Sequence, residues 1–151
     1  MKPFVVLCNP ENRRLALLQA ALPAPAIVVP WLEFERLADV DVPECYFRID
    51  SAGESFEVEK RMLRLGFESA QGVSTIAPAE IDALKDDRGR ILCPRQAHLG
   101  FEAALSRVNA IVSQRPGWRQ LNPVPDILEL FDKRRTSARY AAAGIPVPES
   151  L

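Results

Sequence analysis

"PFVVLC", residues Pro3 to Cys8, is apolar from Phe4 onward without a break. A strand with one wet face alternates polar and apolar residues, because successive side chains point to opposite sides of the sheet. A short run with no such alternation is the kind buried on both faces, as in a parallel sheet covered by helices. The segments that follow supply those helices. In "NPENRRLALLQAAL", Asn9 or Asn12 can cap a helix that carries Leu15, Leu18 and Leu22 on one face. Ala26 to Val29 in "PAIVVPW" reads as a second buried strand, and "LEFERLADV" as a shorter helix.

"CYFRID", Cys45 to Asp50, alternates like a strand and leads through the polar turn "SAGES" into "FEVEKRMLRLG", a helix expected to stop at Gly66. "VSTIAPAEIDALKDD" suggests a loop and a helix capped at or near Ala77, and "GRILCP" a weak strand. "GFEAALSRVNAIVSQR" places Phe101, Ala104, Leu105, Val108, Ile111 and Val112 on one helical face. "WRQLN", Trp118 to Asn122, is a last short strand. Strands alternating with helices predict an α/β fold, a three-layer Rossmann-like parallel sheet of four or five strands. Phe4 to Cys8 is expected at its centre and helices on both faces.

At 151 residues the chain is long enough to bury a real core. A net charge of −1 gives no general attraction to nucleic acid or anionic membranes. No apolar run has the length of a membrane span or of a signal peptide, which predicts a cytoplasmic protein. Cys8, Cys45 and Cys93 are widely spaced with no CxxC pair, so they read as reduced thiols in or near the core. Neither GxGxxG nor GxxxxGK[ST] occurs, which removes a dinucleotide fingerprint and a P-loop. His98, the only histidine, has no partners for a catalytic triad or a metal cluster and reads as structural.

Open parallel sheets bind ligands outside the carboxyl ends of their strands. Two such ends carry polar residues: Asn9, Pro10 and Glu11 after the first strand, and Arg48, Asp50, Ser51 and Gly53 around the end of the third. Ordinary turn chemistry accounts for them as an Asx-turn at Asn9 and a helix cap at Asp50 or Ser51. The alternative is substrate contact by Arg48, Asp50 and Ser51.

The chain closes on "FDKRRTSARYAAAGIPVPESL", Phe131 to Leu151. Asp132 can cap a helix over Lys133 to Ala143, Gly144 fits the left-handed residue just past its end, and Pro146 bars continuation. Lys133, Arg134 and Arg135 then occupy the positive end of the helix macrodipole, where acidic residues are normally favoured. Either the three cations splay into water or an anion belongs there.

The run from Leu121 to Ser150 resembles the junction region of ATP-grasp enzymes. There a Rossmann-like pre-ATP-grasp domain ends in an Asn-bearing strand, followed by a short helix and then an Asp-Lys pair. That pair opens a helix closing on Ala-Gly-Ile/Val-Pro-x-Pro. The matching residues are Leu121-Asn122, Pro125 to Phe131, Asp132-Lys133, Thr136 and Ala143 to Pro148. The resemblance implies a pre-ATP-grasp domain over 1–122 and a helical junction over 123–151. An ATP-grasp domain would follow, making this the N-terminal portion of a longer ligase.

Such a ligase couples ATP hydrolysis, with magnesium, to joining a carboxylate and an amine through an acyl-phosphate. By the same resemblance Lys133 binds ATP phosphates as an electrostatic ligand. The second ATP-binding lysine, the adenine pocket and the magnesium ligands would lie in the following domain. This stretch alone is expected to be inactive and to hold neither ATP nor magnesium. Its partners would be small-molecule carboxylate and amine substrates, with no nucleic acid and no membrane; a homodimer is compatible with the reading. The loop "NPENRR" after the first strand lacks the glycines that many pre-ATP-grasp domains carry there, so the resemblance assigns no substrate contact to Asn9 through Asn12. The competing expectation is a stand-alone Rossmann-like binding or interaction module without catalysis.

Overall fold

A computed structural model describes residues 2–53, 55–70, 72, 74–87 and 92–148. The chain divides into two units, Met1–Leu121 and Asn122–Leu151. The first is α/β and is organised by four parallel strands: β1 (Phe4–Cys8), β2 (Ile27–Pro30), β3 (Cys45–Ile49) and β4 (Trp118–Gln120). Their order is β2-β1-β3-β4, so β1 is interior, as its unbroken apolar run predicts. In register, Val6 lies opposite Val28 and Arg48, and Leu7 opposite Val29 and Ile49.

Val5, Val6, Leu7 and Cys8 are all fully buried, which means that both faces of β1 are covered. On one face Val6 and Cys8 pack with Leu15, Leu18 and Leu22, brought by helix α1 (Arg13–Ala21) and its end. Burying an aliphatic side chain of this size contributes about 1.5–3 kcal/mol. Asn12 caps α1, its Oδ1 accepting from Arg14 N at 2.8 Å.

The segment expected as a short helix is a 3₁₀ helix, Trp31–Asp39, broken into two turns at Glu33, whose φ of −131° is not helical. Its apolar residues explain the choice. Trp31, Phe34 and Leu37 recur every third residue, and at three residues per turn they stack on one side, where all three are fully buried.

Helix α2 (Phe56–Ser69) is capped by Ser55 and does not stop at Gly66 as expected; it runs on to Ser69. Gly66 is there because another backbone passes over it. A Cβ at Gly66 would stand 1.9 Å from the carbonyl oxygen of Gln96, and one at Gly100 would stand 1.7 Å from that of Met62. Gln96 and Gly100 belong to α4 (Pro94–Val112), which therefore crosses α2 nearly backbone to backbone. The fully buried side chain of Gln96 closes this crossing. Its Nε2 donates to Leu63 O at 2.9 Å and Ile76 O at 3.1 Å, and its Oε1 accepts from Ile76 N at 2.9 Å.

Short helix α3 (Pro78–Asp82) follows Ala77, as expected, with Glu80 Oε2 accepting from Ala77 N at 2.7 Å. Half of the weak strand expected at 89–94, residues 89–91, falls outside the described residues. Its described end is not a strand, because Pro94 opens α4, where a fixed φ suits the first helical turn.

The second unit is a pair of helices, α5 (Val124–Phe131) and α6 (Lys133–Ala142). Asp132 ends one and caps the other, its Oδ1 accepting from Arg135 N at 3.0 Å. Thr136 Oγ1 donates to Glu129 O and Asp132 O, and Arg139 pairs with Glu129 at 2.7 Å. At the far end Gly144 adopts φ +73°. Gly144 N donates to Ala141 O and Ile145 N to Tyr140 O, the paired hydrogen bonds of a Schellman cap. Among the described residues no helix is long and apolar enough to cross a membrane.

Candidate functional site

The carboxyl ends of β1 and β3 lie side by side, and the chain beyond each is tied to the other. Asp50 N donates to Leu7 O at 2.8 Å, extending the β1–β3 pairing one residue past β3. The side chain of Asn9 reaches across 43 and 44 residues of sequence. Its Nδ2 donates to Ala52 O at 3.2 Å and Gly53 O at 2.7 Å. An Asx-turn was the local expectation for Asn9; here its side-chain amide instead anchors the turn after β3.

Asp50 and Ser51 do not cap α2 either, because Ser55 holds that place, its Oγ accepting from Val58 N. Ser51 is exposed and shapes the turn, its Oγ accepting from Gly53 N at 3.1 Å. Asp50 is drawn inward. Its side chain is only 6% exposed, its Oδ1 pairs with Arg48 Nε at 2.7 Å, and its backbone oxygen accepts from the indole Nε1 of Trp31 at 3.0 Å. Oδ2 is buried and has no hydrogen-bond partner among the described residues. A carboxylate buried this far from water is destabilising unless its oxygens are met, so the open valence marks the place. The other buried side-chain oxygen without a partner among the described residues, Gln120 Oε1, also lies at a strand's carboxyl end, that of β4.

Cys8 ends β1 in the same neighbourhood. Burial, then the negative charge of Asp50, push its thiol up to about 11, with Arg48 opposing and Glu11 adding to the rise. Burial likewise raises Cys45 to about 11, partly offset by Arg115 and Lys2. Both cysteines are free. At pH 8 a thiol of this kind is ionised to about one part in a thousand, and the thiolate is the nucleophile. Native Cys8 and Cys45 are therefore expected to resist iodoacetamide at pH 8 and to react on unfolding, as read by mass spectrometry. Stability follows the same shift. It is unaffected below the ordinary thiol value of 9.0 and falls as pH rises from 9 towards 11, because the unfolded chain loses these protons first.

Arg48, Asp50 and Ser51, the residues singled out from the sequence, are thus brought together in the first unit, and Asn9 and Trp31 join them. Lys133 belongs to the second unit. It is exposed in the first turn of α6, and neither it, Arg134 nor Arg135 makes an ion pair among the described residues. His98 is half-exposed, with its Nε2 3.3 Å from Glu102 Oε1 one turn along α4.

Two polar contacts had no local signal in the sequence. The reach of Asn9 to residues 52 and 53 and of Trp31 to Asp50 depends on the β1–β3 and 3₁₀ packing, which no short motif encodes. The arrangement can accept a hydrogen bond at Asp50 and offer positive charge at Arg48. Among the described residues no group of three or more His, Cys, Asp or Glu could hold a metal ion. Compared with protein-family models, curated proteins and solved structures, the chain matches none.

Proposed function

We propose that this chain is the N-terminal part of an ATP-grasp carboxylate–amine ligase: a three-layer Rossmann-like pre-ATP-grasp domain and the helical junction after it. The observation that carries the reading is the build of the second unit. Asp132 caps α6, Lys133 opens it, and a glycine at φ +73° followed by Pro146 and Pro148 ends it. These are the elements on which the resemblance to ATP-grasp junctions rests; the Asp132 cap and the Gly144–Pro146 end serve the local purpose their residue types suggest, and Lys133 is the one that local physics does not explain. The all-parallel sheet with a doubly covered β1 is compatible with the upstream domain and is shared by many unrelated folds.

In this reading Lys133 meets ATP phosphates beside the unpaired N–H groups of the α6 N-terminus. Arg48, Asp50 and Ser51 contribute to the substrate wall at the strand ends. The chemistry is phosphoryl transfer from ATP to a carboxylate, then attack of an amine on the acyl-phosphate with loss of phosphate. No step is assigned to a metal held by this chain. A cytoplasmic setting suits three cysteines that are free.

The test is calorimetry with Mg·ATP on residues 1–151 and on the product of the whole reading frame. The shorter chain is expected to bind more weakly than micromolar, because only one wall of the nucleotide site is present, and the whole product to bind clearly. Micromolar binding by residues 1–151 would contradict the division of the site. A reading frame that stops after Leu151 would favour a stand-alone binding module.

A further inference from the structure

The acceptor at the strand ends has a polarity, and the polarity names a ligand. Asp50 presents one carboxylate oxygen to Arg48 and keeps the other buried without a donor among the described residues. The side chains whose charges act on the Cys8 thiol at the end of β1 include two acidic ones, Asp50 and Glu11, and one basic one, Arg48. The thiol of Cys8 stays neutral there, and the side-chain amide of Asn9 is spent on Ala52 and Gly53. What Oδ2 lacks among the described residues is a hydrogen-bond donor, and a cationic donor would form the stronger bond to it. Charge-assisted bonds to a carboxylate away from water are the strong kind, and an unmet carboxylate oxygen is the costly alternative.

We infer that the carboxyl end of the sheet binds the protonated primary amine of a small molecule, its ammonium group donating to Asp50 Oδ2. This rests on the reading of the strand ends as a substrate wall and assigns that wall to the amine substrate, leaving the carboxylate to be bound elsewhere. Arg48 both orients Asp50 and competes with the ligand for its charge. Oδ2 is out of contact with water, so the amine reaches it only by displacing the residues that cover it; the turn at residues 51–53, exposed at Ser51 and Gly53 and anchored by Asn9, directly follows Asp50.

Two groups report on this event without a label at the site: the indole N–H of Trp31, bonded to Asp50 O, and the amide of Gly53, bonded to Ser51 Oγ. The experiment is a nitrogen-15 NMR titration of the 151-residue chain with ethanolamine hydrochloride, and separately with sodium acetate and potassium chloride. Ethanolamine is expected to shift both signals saturably, with acetate and potassium leaving them in place. Asp50→Asn is expected to weaken the response at least about tenfold, the equivalent of losing one charge-assisted hydrogen bond. Arg48→Gln, which frees Asp50 from its competitor, is expected to tighten it, a result that a purely structural ion pair would not produce and that remains readable should Asp50→Asn fail to fold. An equal response to acetate, or no saturable response to the amine because a trapped water already satisfies Oδ2, would overturn the inference. So would weaker binding in Arg48→Gln. Amine binding by a chain whose reading frame encodes no ATP-grasp domain would uphold this inference while the ligase reading falls. An ATP-binding full product with no amine response would do the reverse.

Discussion

Replacing Gly100 with alanine is expected to lower the stability of the first unit by about 3 kcal/mol, or roughly 10 °C in Tm. The added Cβ would lie 1.7 Å from Met62 O, 2.6 Å from Met62 C and 2.8 Å from Gly66 N, all backbone atoms that no rotamer change can move. The α2–α4 pair must open by roughly 1.5 Å or more to restore ordinary contact. Opening stretches the bond from Gln96 Nε2 to Leu63 O, which joins the two helices, leaving a buried carbonyl without its full partner, at about 1–3 kcal/mol. Alanine's better helix propensity returns about 1 kcal/mol, not enough to change the sign.

Gly66→Ala is expected to behave alike, its Cβ meeting Gln96 O at 1.9 Å. The double variant is the more telling sample. One separation of the helices relieves both clashes, so the combined loss is expected to fall well short of the sum. Thermal and urea unfolding of the three variants measure this directly. A loss within about 0.5 kcal/mol for Gly100→Ala, the range of an ordinary surface change, would show that the helices do not approach this closely.

The same glycine shows where reading along the chain reaches its limit. Gly66 ends a run of amphipathic spacing, and local propensity reads a glycine there as a stop. Its real role is set by Gln96, 30 residues further on, whose backbone occupies the space of a side chain. Asp50 and Asn9 went astray for a like reason. Capping and Asx-turns are the local uses of such residues, but once β1 and β3 pair, Arg48, Ala52 and Gly53 come within reach and win. β1 was legible because burial on both faces leaves a mark in consecutive residues, and α6 because its caps are coded within a dozen positions. The 3₁₀ segment was half legible. Trp31, Phe34 and Leu37 fit a period of three as readily as one face of an α-helix, and only packing chooses. That Arg48, Asp50 and Ser51 lie together follows from their closeness in sequence; that Asp50 keeps an open oxygen does not, and only the fold reveals it.

Lys133→Ala is expected to separate stability from nucleotide affinity in the longer ligase that the resemblance implies. Lys133 is exposed at the positive end of α6, and it forms no ion pair among the described residues. Its charge opposes the helix macrodipole, so removing it should leave Tm level or raise stability by a few tenths of a kcal/mol. The cap is untouched, because it runs between Asp132 Oδ1 and the backbone of Arg135. If the ammonium group meets ATP phosphates, its loss removes a charge-assisted contact worth roughly 1.5–3 kcal/mol, about tenfold or more in Kd. Arg134→Ala and Arg135→Ala carry the same macrodipole effect but match no part of the junction pattern, and they should change affinity much less. Measured side by side, the three variants distinguish a phosphate ligand from a general positive field, which would spread the loss evenly among them. Unchanged ATP affinity in Lys133→Ala would return all three cations to the role of a hydrated helix end and remove the nucleotide from this side of the junction.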